Sequence, residues 1–145
     1  MARRRCVSAT RTIAAPASAI FDLLADPRRH ATFDGSNSLR ELKSGLERLF
    51  VGATFAMNMK IGLPYFTRNV VVNFVEDTSI AWHLFVHCVW RNDLEEVPGA
   101  TRVTESFTYD NPAGLVVMAL GFPERNRRSM AATLERLERL VTSSP

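Results

Sequence analysis

The residue with the strongest claim to chemistry in this sequence is Glu105. Within Thr101 to Tyr109, Val103, Phe107 and Tyr109 recur at every second position, and Glu105 falls among them. A strand presents alternate residues to one face, so this alternation carries a carboxyl group onto a face built for burial. A buried carboxylate without a partner is costly; it must gain one or hold its proton to higher pH. Arg11, which intrudes in the same way among Val7, Ala9 and Ile13, is the expected partner. Such a pair reads first as structural, because structural ion networks perturb titration as catalytic groups do. Tyr109, Arg68 and His83 complete the weak candidates for acid–base work, with Arg68 and Asn92 expected to point inward unless a bulge reverses their strands.

Other chemistries find little support. His83 and His87 are four apart, a spacing that suits a metal on a helix; on a strand they merely share a face. His30 falls on a short helix. No His, Cys and carboxylate cluster has ligand spacing, and no nucleophile elbow, phosphate loop or dinucleotide fingerprint is present, so neither a metal nor a cofactor is expected. Cys6 and Cys88 are too few and too far apart for a disulfide framework.

These residues must be positioned by one domain's worth of chain. The 145 residues, 46% hydrophobic and 23% charged, are ordinary for a globular domain with a single core. A net charge of +3 excludes little, but the basic clusters Arg3-Arg4-Arg5 and Arg125, Arg127 and Arg128 lack the interleaved aromatics of a nucleic-acid surface. No nucleic-acid partner is expected. No apolar run approaches the ~20 residues needed to span a bilayer, and the basic opening residues lead into no apolar signal segment. A cytoplasmic monomer or homodimer, without stable membrane insertion, is the expectation.

Val7 to Ile13 alternates as a first strand. Ala15-Pro16 opens a short helix to Ala25, with Ile20, Phe21, Leu23 and Leu24 as its buried stripe, and Asp26-Pro27 caps a second that runs to about Thr32. Asp34 to Ser38 is a loop, Leu39 to Leu42 a brief strand, and Ser44 to Gly52 a connection. Strands then follow over Ala53 to Ile61, Tyr65 to Val75, Ser79 to Val86, Trp90 to Val97 and Thr101 to Tyr109. The tip between Val86 and Trp90 carries no turn residue and has no assigned position. Consecutive strands with short turns predict an antiparallel sheet.

The last third predicts a long helix. Asn111-Pro112 is a good start, Gly121-Phe122-Pro123 interrupts it, and Met130, Leu134, Leu137 and Val141 form an apolar stripe to its end. About 30 helical residues would span roughly 45 Å and need a wide surface to lie on. Glu124/Arg128 and Glu135/Arg139 suit its wet face.

The order strand, two short helices, meander and long helix resembles the START-like, or SRPBCC, superfamily, which includes lipid-transfer domains and polyketide cyclase/dehydrase-like proteins. The matching segments are Arg11 to Pro16, Ile20 to His30, Ile80-Ala81-Trp82, Gly99 to Glu105 and Gly121 to Asn126. The likeness covers nearly the whole chain and is closest to small actinobacterial members. It implies an α+β helix-grip fold, a curved antiparallel sheet of about seven strands wrapped around the C-terminal helix. It also implies an apolar cavity between them, walled on the sheet side by Met57, Met59, Trp82, Leu84, Trp90, Phe107 and Tyr109. Met118, Phe122, Met130 and Leu134 would wall the helix side. A small hydrophobic molecule (a lipid, polyketide or isoprenoid) is the implied partner, with an aromatase/cyclase-like reaction in the same cavity as the alternative. A protein-docking module, marked by a large exposed apolar patch, is a third class.

Overall fold

A computed structural model of the chain describes residues 6–36, 39–45, 48–61, 63–83, 88–109 and 122–142, with the side chains of Ile61, Tyr65, Tyr109, Phe122 and Pro123 outside the description. Strand β1 (Cys6–Ile13) leads to helix α1 (Ala17–Leu24), a 3-10 turn (Pro27–Arg29) and helix α2 (His30–Phe33). Strands β2 (Leu39–Ser44), β3 (Thr54–Ile61), β4 (Leu63–Val75), β5 (Ser79–His83), β6 (Cys88–Val97) and β7 (Ala100–Tyr109) follow, then helix α3 (Phe122–Thr142). The seven strands form one antiparallel sheet in the order β1-β7-β6-β5-β4-β3-β2. With α3 against one face of the sheet, this is the α+β helix-grip arrangement. Strand β6 begins at Cys88, two residues before the sequence reading put it. Leu84 to His87, and the expected helical arm from Asn111 to Gly121, lie outside the described residues.

Local chemistry explains the helix starts. Pro16 stands at the N-cap of α1, with extended backbone. Asp26 caps the 3-10 turn, its carboxylate accepting from the Arg28 amide at 3.0 Å, and Pro27 follows at the first position, where a missing N–H costs nothing. Gly99 closes the β6–β7 hairpin at φ +72°, a backbone region that favours glycine.

Helix α3 has 21 residues, roughly 32 Å of the expected length. Met130, Leu134 and Leu137 of its stripe are buried, while Glu124 pairs with Arg127 and Arg128 and Glu135 with Arg139 on the wet side. The helix rests chiefly on β1, with further contact to β7 and α2.

The loop after α2 is pressed against α3 without room for a side chain. The Gly35 amide donates to Thr133 Oγ1 at 2.9 Å, and an Arg136 guanidinium nitrogen donates to the Asp34 carbonyl. A Cβ on Gly35 would lie 2.5 Å from the Ala132 Cβ and 2.6 Å from the Ser129 carbonyl oxygen. Because one neighbour is helix backbone, it has no rotamer into which to retreat. Gly35→Ala is therefore expected to lower stability by about 1–3 kcal/mol, read as a shift in the urea midpoint. An unshifted midpoint would mean that the loop is not held against α3.

Candidate functional site

The concave face of the sheet is laid out in cross-strand rows. Phe107, Trp90, Trp82 and Val71 face one another on β7, β6, β5 and β4. The adjacent row is Glu105, Asn92, Ile80 and Phe74, continued on β1 by Ala9 opposite Glu105. Val71 and Phe74 are three apart yet both turn inward, because a bulge between Val71 and Asn73 changes the phase of β4. The bulge also decides Arg68. Counting back from Phe74 by twos would bring Arg68 inside; in the structure Thr67, Asn69 and Val71 are buried while Phe66, Arg68 and Val72 are exposed. The expected inward placement of Arg68 is thus corrected, and that of Asn92, 2% exposed, holds.

Glu105 is 8% exposed on the face the alternation predicts, but its expected partner is elsewhere. Arg11, two residues along β1 from the Ala9 that faces Glu105, reaches up to α3. There it donates to Glu138 at 2.8 Å and lies 4.0 Å from Glu135. The helix that covers this edge offers two half-exposed carboxylates, which keep the guanidinium partly hydrated. Burial of the Arg11 charge beside Glu105 would cost far more desolvation. Glu105 Oε2 is consequently buried with no hydrogen-bond partner among the described residues, as are Asn92 Oδ1 and Asn69 Oδ1. Burial, with a smaller contribution from the Asp34 charge, pushes the Glu105 carboxyl up from its ordinary 4.5 to about 8. At neutral pH it is a neutral acid, able to donate as well as accept.

The apolar residues around it fall into two packed groups. The larger gathers α1, α2, the C-terminal half of α3 and the sheet, including Ile13, Phe21, Leu94, Val103, Leu134 and Leu137. Met57 is buried in it, and Met59 and Trp82 pack against it half-buried. The smaller holds Val7, Cys88, Phe107 and Met130, with half-buried Trp90 against it; the Trp90 and Phe107 ring centroids are 4.7 Å apart. Along β7, Glu105 stands between Val103 of the first group and Phe107 of the second. Along β6, Asn92 stands between Leu94 and Trp90. Ala9 touches both groups. The polar pair therefore occupies the seam where the two groups meet.

Of the expected lining residues, the structure thus places Met57, Met59 and Trp82 with the larger group and Trp90, Phe107 and Met130 with the smaller. Leu84, Met118 and the side chains of Tyr109 and Phe122 lie outside the described residues. His83 follows Trp82 and so turns to the opposite face of the sheet. His30 and Asn69 are among the buried polar residues that the sequence did not single out. His30 is stacked on Trp82 at 5.2 Å, with Phe33 and Phe55 around its ring. Burial holds its pKa below the ordinary value, so the ring is neutral and Nε2 donates to the Leu24 carbonyl at 2.9 Å. Asn69 donates to the Phe55 carbonyl at 3.3 Å. Period-two alternation from Val71 finds Asn69 without help; nothing in the spacing of His30 announces its burial.

A shallow depression of about 390 Å³ lies away from this face, between the β1–α1 connection and the β6–β7 turn, with Pro16, Glu96 and Gly99 among its walls. Glu96 is its sole titratable lining residue, and it offers little chemistry. Among the described residues no group of three or more His, Cys, Asp or Glu side chains is placed to hold a metal ion. No described helix is long and apolar enough to cross a membrane.

Residues 4–142 match the family model described as polyketide cyclase/dehydrase and lipid transport. The uncharacterized protein Rv0088 of Mycobacterium tuberculosis is 36% identical over 139 residues, an alignment that covers 90% of this chain and 62% of the relative. The chain thus spans 62% of the length of the curated relatives it matches. Among solved structures, protein Ms6760 of Mycobacterium smegmatis aligns with a TM-score of 0.72 at 20% identity, covering 95% of this chain and 91% of its own. The Polyketide_cyc-like protein Cgl2372 of Corynebacterium glutamicum aligns with a TM-score of 0.60 at 18% identity, covering 99% and 97%. At such identities these structures establish a shared fold.

Proposed function

The chain belongs to the polyketide cyclase/dehydrase and lipid transport family, and on that premise we propose that it binds a small hydrophobic ligand between the concave sheet face and α3. A lipid, a polyketide or an isoprenoid fits this description. The observation that carries the reading is the composition of the seam: aromatic and Met side chains surround a few buried polar atoms that lack protein partners. Ligand sites are mostly apolar with a small number of placed polar groups, whereas a finished core leaves few polar atoms unsatisfied. Trp82 and Trp90, the two tryptophans of the sequence, are half-buried on this face and would report occupancy.

The test is native mass spectrometry of protein purified without detergent or organic solvent. A bound species of a few hundred daltons, lost on organic extraction with a change in tryptophan emission, supports the reading. A bare mass, with emission unaltered by extraction or by added lipid extract, overturns it.

One observation favours an enzymatic version of the same site. A neutral carboxyl with a pKa of about 8 suits proton exchange near neutral pH. Glu105 is thereby the acid–base group to which an aromatase/cyclase-like reaction would be assigned. Loss of turnover in Glu105→Gln with ligand binding retained would separate catalysis from carriage.

A further inference from the structure

The seam also carries information about the chemistry of the ligand, an inference that rests on the binding reading above. Glu105 and Asn92 face each other across β7 and β6, both buried, each with an oxygen that meets no donor among the described residues. An unsatisfied buried polar atom is costly, a cost that a bound group can remove. With Glu105 a neutral acid, the facing pair presents a carboxyl O–H that calls for an acceptor and an Asn92 oxygen that calls for a donor. Among the described residues no lysine or arginine is paired with either side chain, and the Asp34 charge acts on Glu105. A ligand anion could accept from the Glu105 carboxyl but would still face the Asn92 oxygen and the Asp34 charge, with no cation among the described residues to offset its lost hydration. A pure hydrocarbon would leave both oxygens unpartnered.

We infer that the ligand is a neutral molecule bearing a hydroxyl group, an alcohol or a phenol, whose O–H is held by Glu105 and Asn92 while its apolar body lies along Trp90 and Phe107. A hydroxyl suits the pair because it both donates and accepts. Discrimination of this kind is stronger than selection on size. A site built around buried polar groups rejects a ligand that cannot pair them, whereas one missing methylene is tolerated. The polar pair thus sets which end of the ligand goes inward, and the aromatic row takes what is attached to it.

Three probes with the same ten-carbon chain test the inference: 1-decanol, decanoate and 1-methoxydecane, titrated at neutral pH against tryptophan fluorescence. The alcohol is expected to bind at least about tenfold more tightly than the carboxylate or the ether. In Glu105→Leu, and separately in Asn92→Leu, the advantage of alcohol over ether should fall to about twofold or less, with ether binding retained. Either variant that fails to fold leaves the other to decide, alongside the three-probe comparison in the unmodified protein. Equal affinity for alcohol and ether, tighter binding of the carboxylate, or an alcohol preference that survives both substitutions overturns the inference and leaves ligand binding standing. A water held by the pair would produce the first of these results. No response to any probe, up to its solubility limit, overturns ligand binding itself and the inference with it.

Discussion

Replacing Glu105 with Gln is expected to remove most of the loss of stability that the protein suffers between about pH 5 and pH 8. The folded protein keeps its proton on Glu105 up to about pH 8, whereas the unfolded chain releases it near the ordinary 4.5. Between those values the folded state binds more protons, so its stability falls as pH rises. Below the lower value both states are protonated and the penalty is absent; above the upper value it is complete. One pKa unit corresponds to about 1.4 kcal/mol, so the penalty is about 3 kcal/mol at pH 7 and on the order of 5 kcal/mol above pH 8. Gln keeps the shape and hydrogen-bonding capacity but has no proton to lose. Urea denaturation at about pH 5 and at about pH 8.5 should show the wild type losing stability relative to Glu105→Gln at the higher value, the variant keeping only the opposite rise that buried, neutral His30 contributes. Parallel pH profiles for the two proteins would show that the carboxyl is hydrated or paired in solution. Asp34→Asn, which removes the secondary cause of the shift, should move the titration of Glu105 to lower pH.

An effect of similar size is expected at Phe21, in the part of the core that holds α1 under the sheet. Its side chain is fully buried, and its ring meets that of Phe74 edge-to-face at 5.2 Å. The Arg48 guanidinium lies over both rings, 5.9 Å from the first and 5.8 Å from the second, while pairing with Asp22 and Glu76. Phe21→Ala empties a ring-sized volume that neighbours on α1 and β4 cannot refill, and buried Phe→Ala changes cost about 3–5 kcal/mol. Against a typical total of about 5–15 kcal/mol, that is a large share. The expected result is a fall in the melting temperature of about 10–20 °C at this chain length. Phe21→Leu, which keeps most of the volume, should cost less than half as much. A fall of under about 3 °C for the alanine variant would show that α1 is not seated on Phe74. Because Phe74 shares a row with Asn92 and Glu105, loosening α1 should also weaken ligand binding.

Both predictions rest on features of different legibility. The stripe of Ile20, Phe21 and Leu24 on α1, and that of Met130, Leu134 and Leu137 on α3, were readable as helical periodicity and are buried. The inward turn of Glu105 was readable as strand alternation. Its partner was not. Arg11 shares the concave face, but a long side chain on an edge strand can reach past its own sheet, and the covering helix brought Glu135 and Glu138 within range. Arg68 failed for another reason. A single bulge after Val71 shifts every earlier residue of β4 by one face, and no local residue type marks it. His30 became a core residue because the 3-10 turn before it aims its ring at Trp82, a consequence of packing between elements distant in the chain.

The sequence by itself therefore determined the element order, the antiparallel sheet, the long grip helix and the burial of a carboxyl group at Glu105. All of these follow from periodicity and from caps and turns a few residues long. Long-range packing decides that Glu105 Oε2 has no hydrogen-bond partner among the described residues, that Asn92 faces it, and that the two occupy the seam between separate apolar groups. Those outcomes depend on strand register and on which helix side chains compete for each charge. Such energies arise between residues up to 127 positions apart, as in the Arg11–Glu138 pair, and no local pattern encodes them.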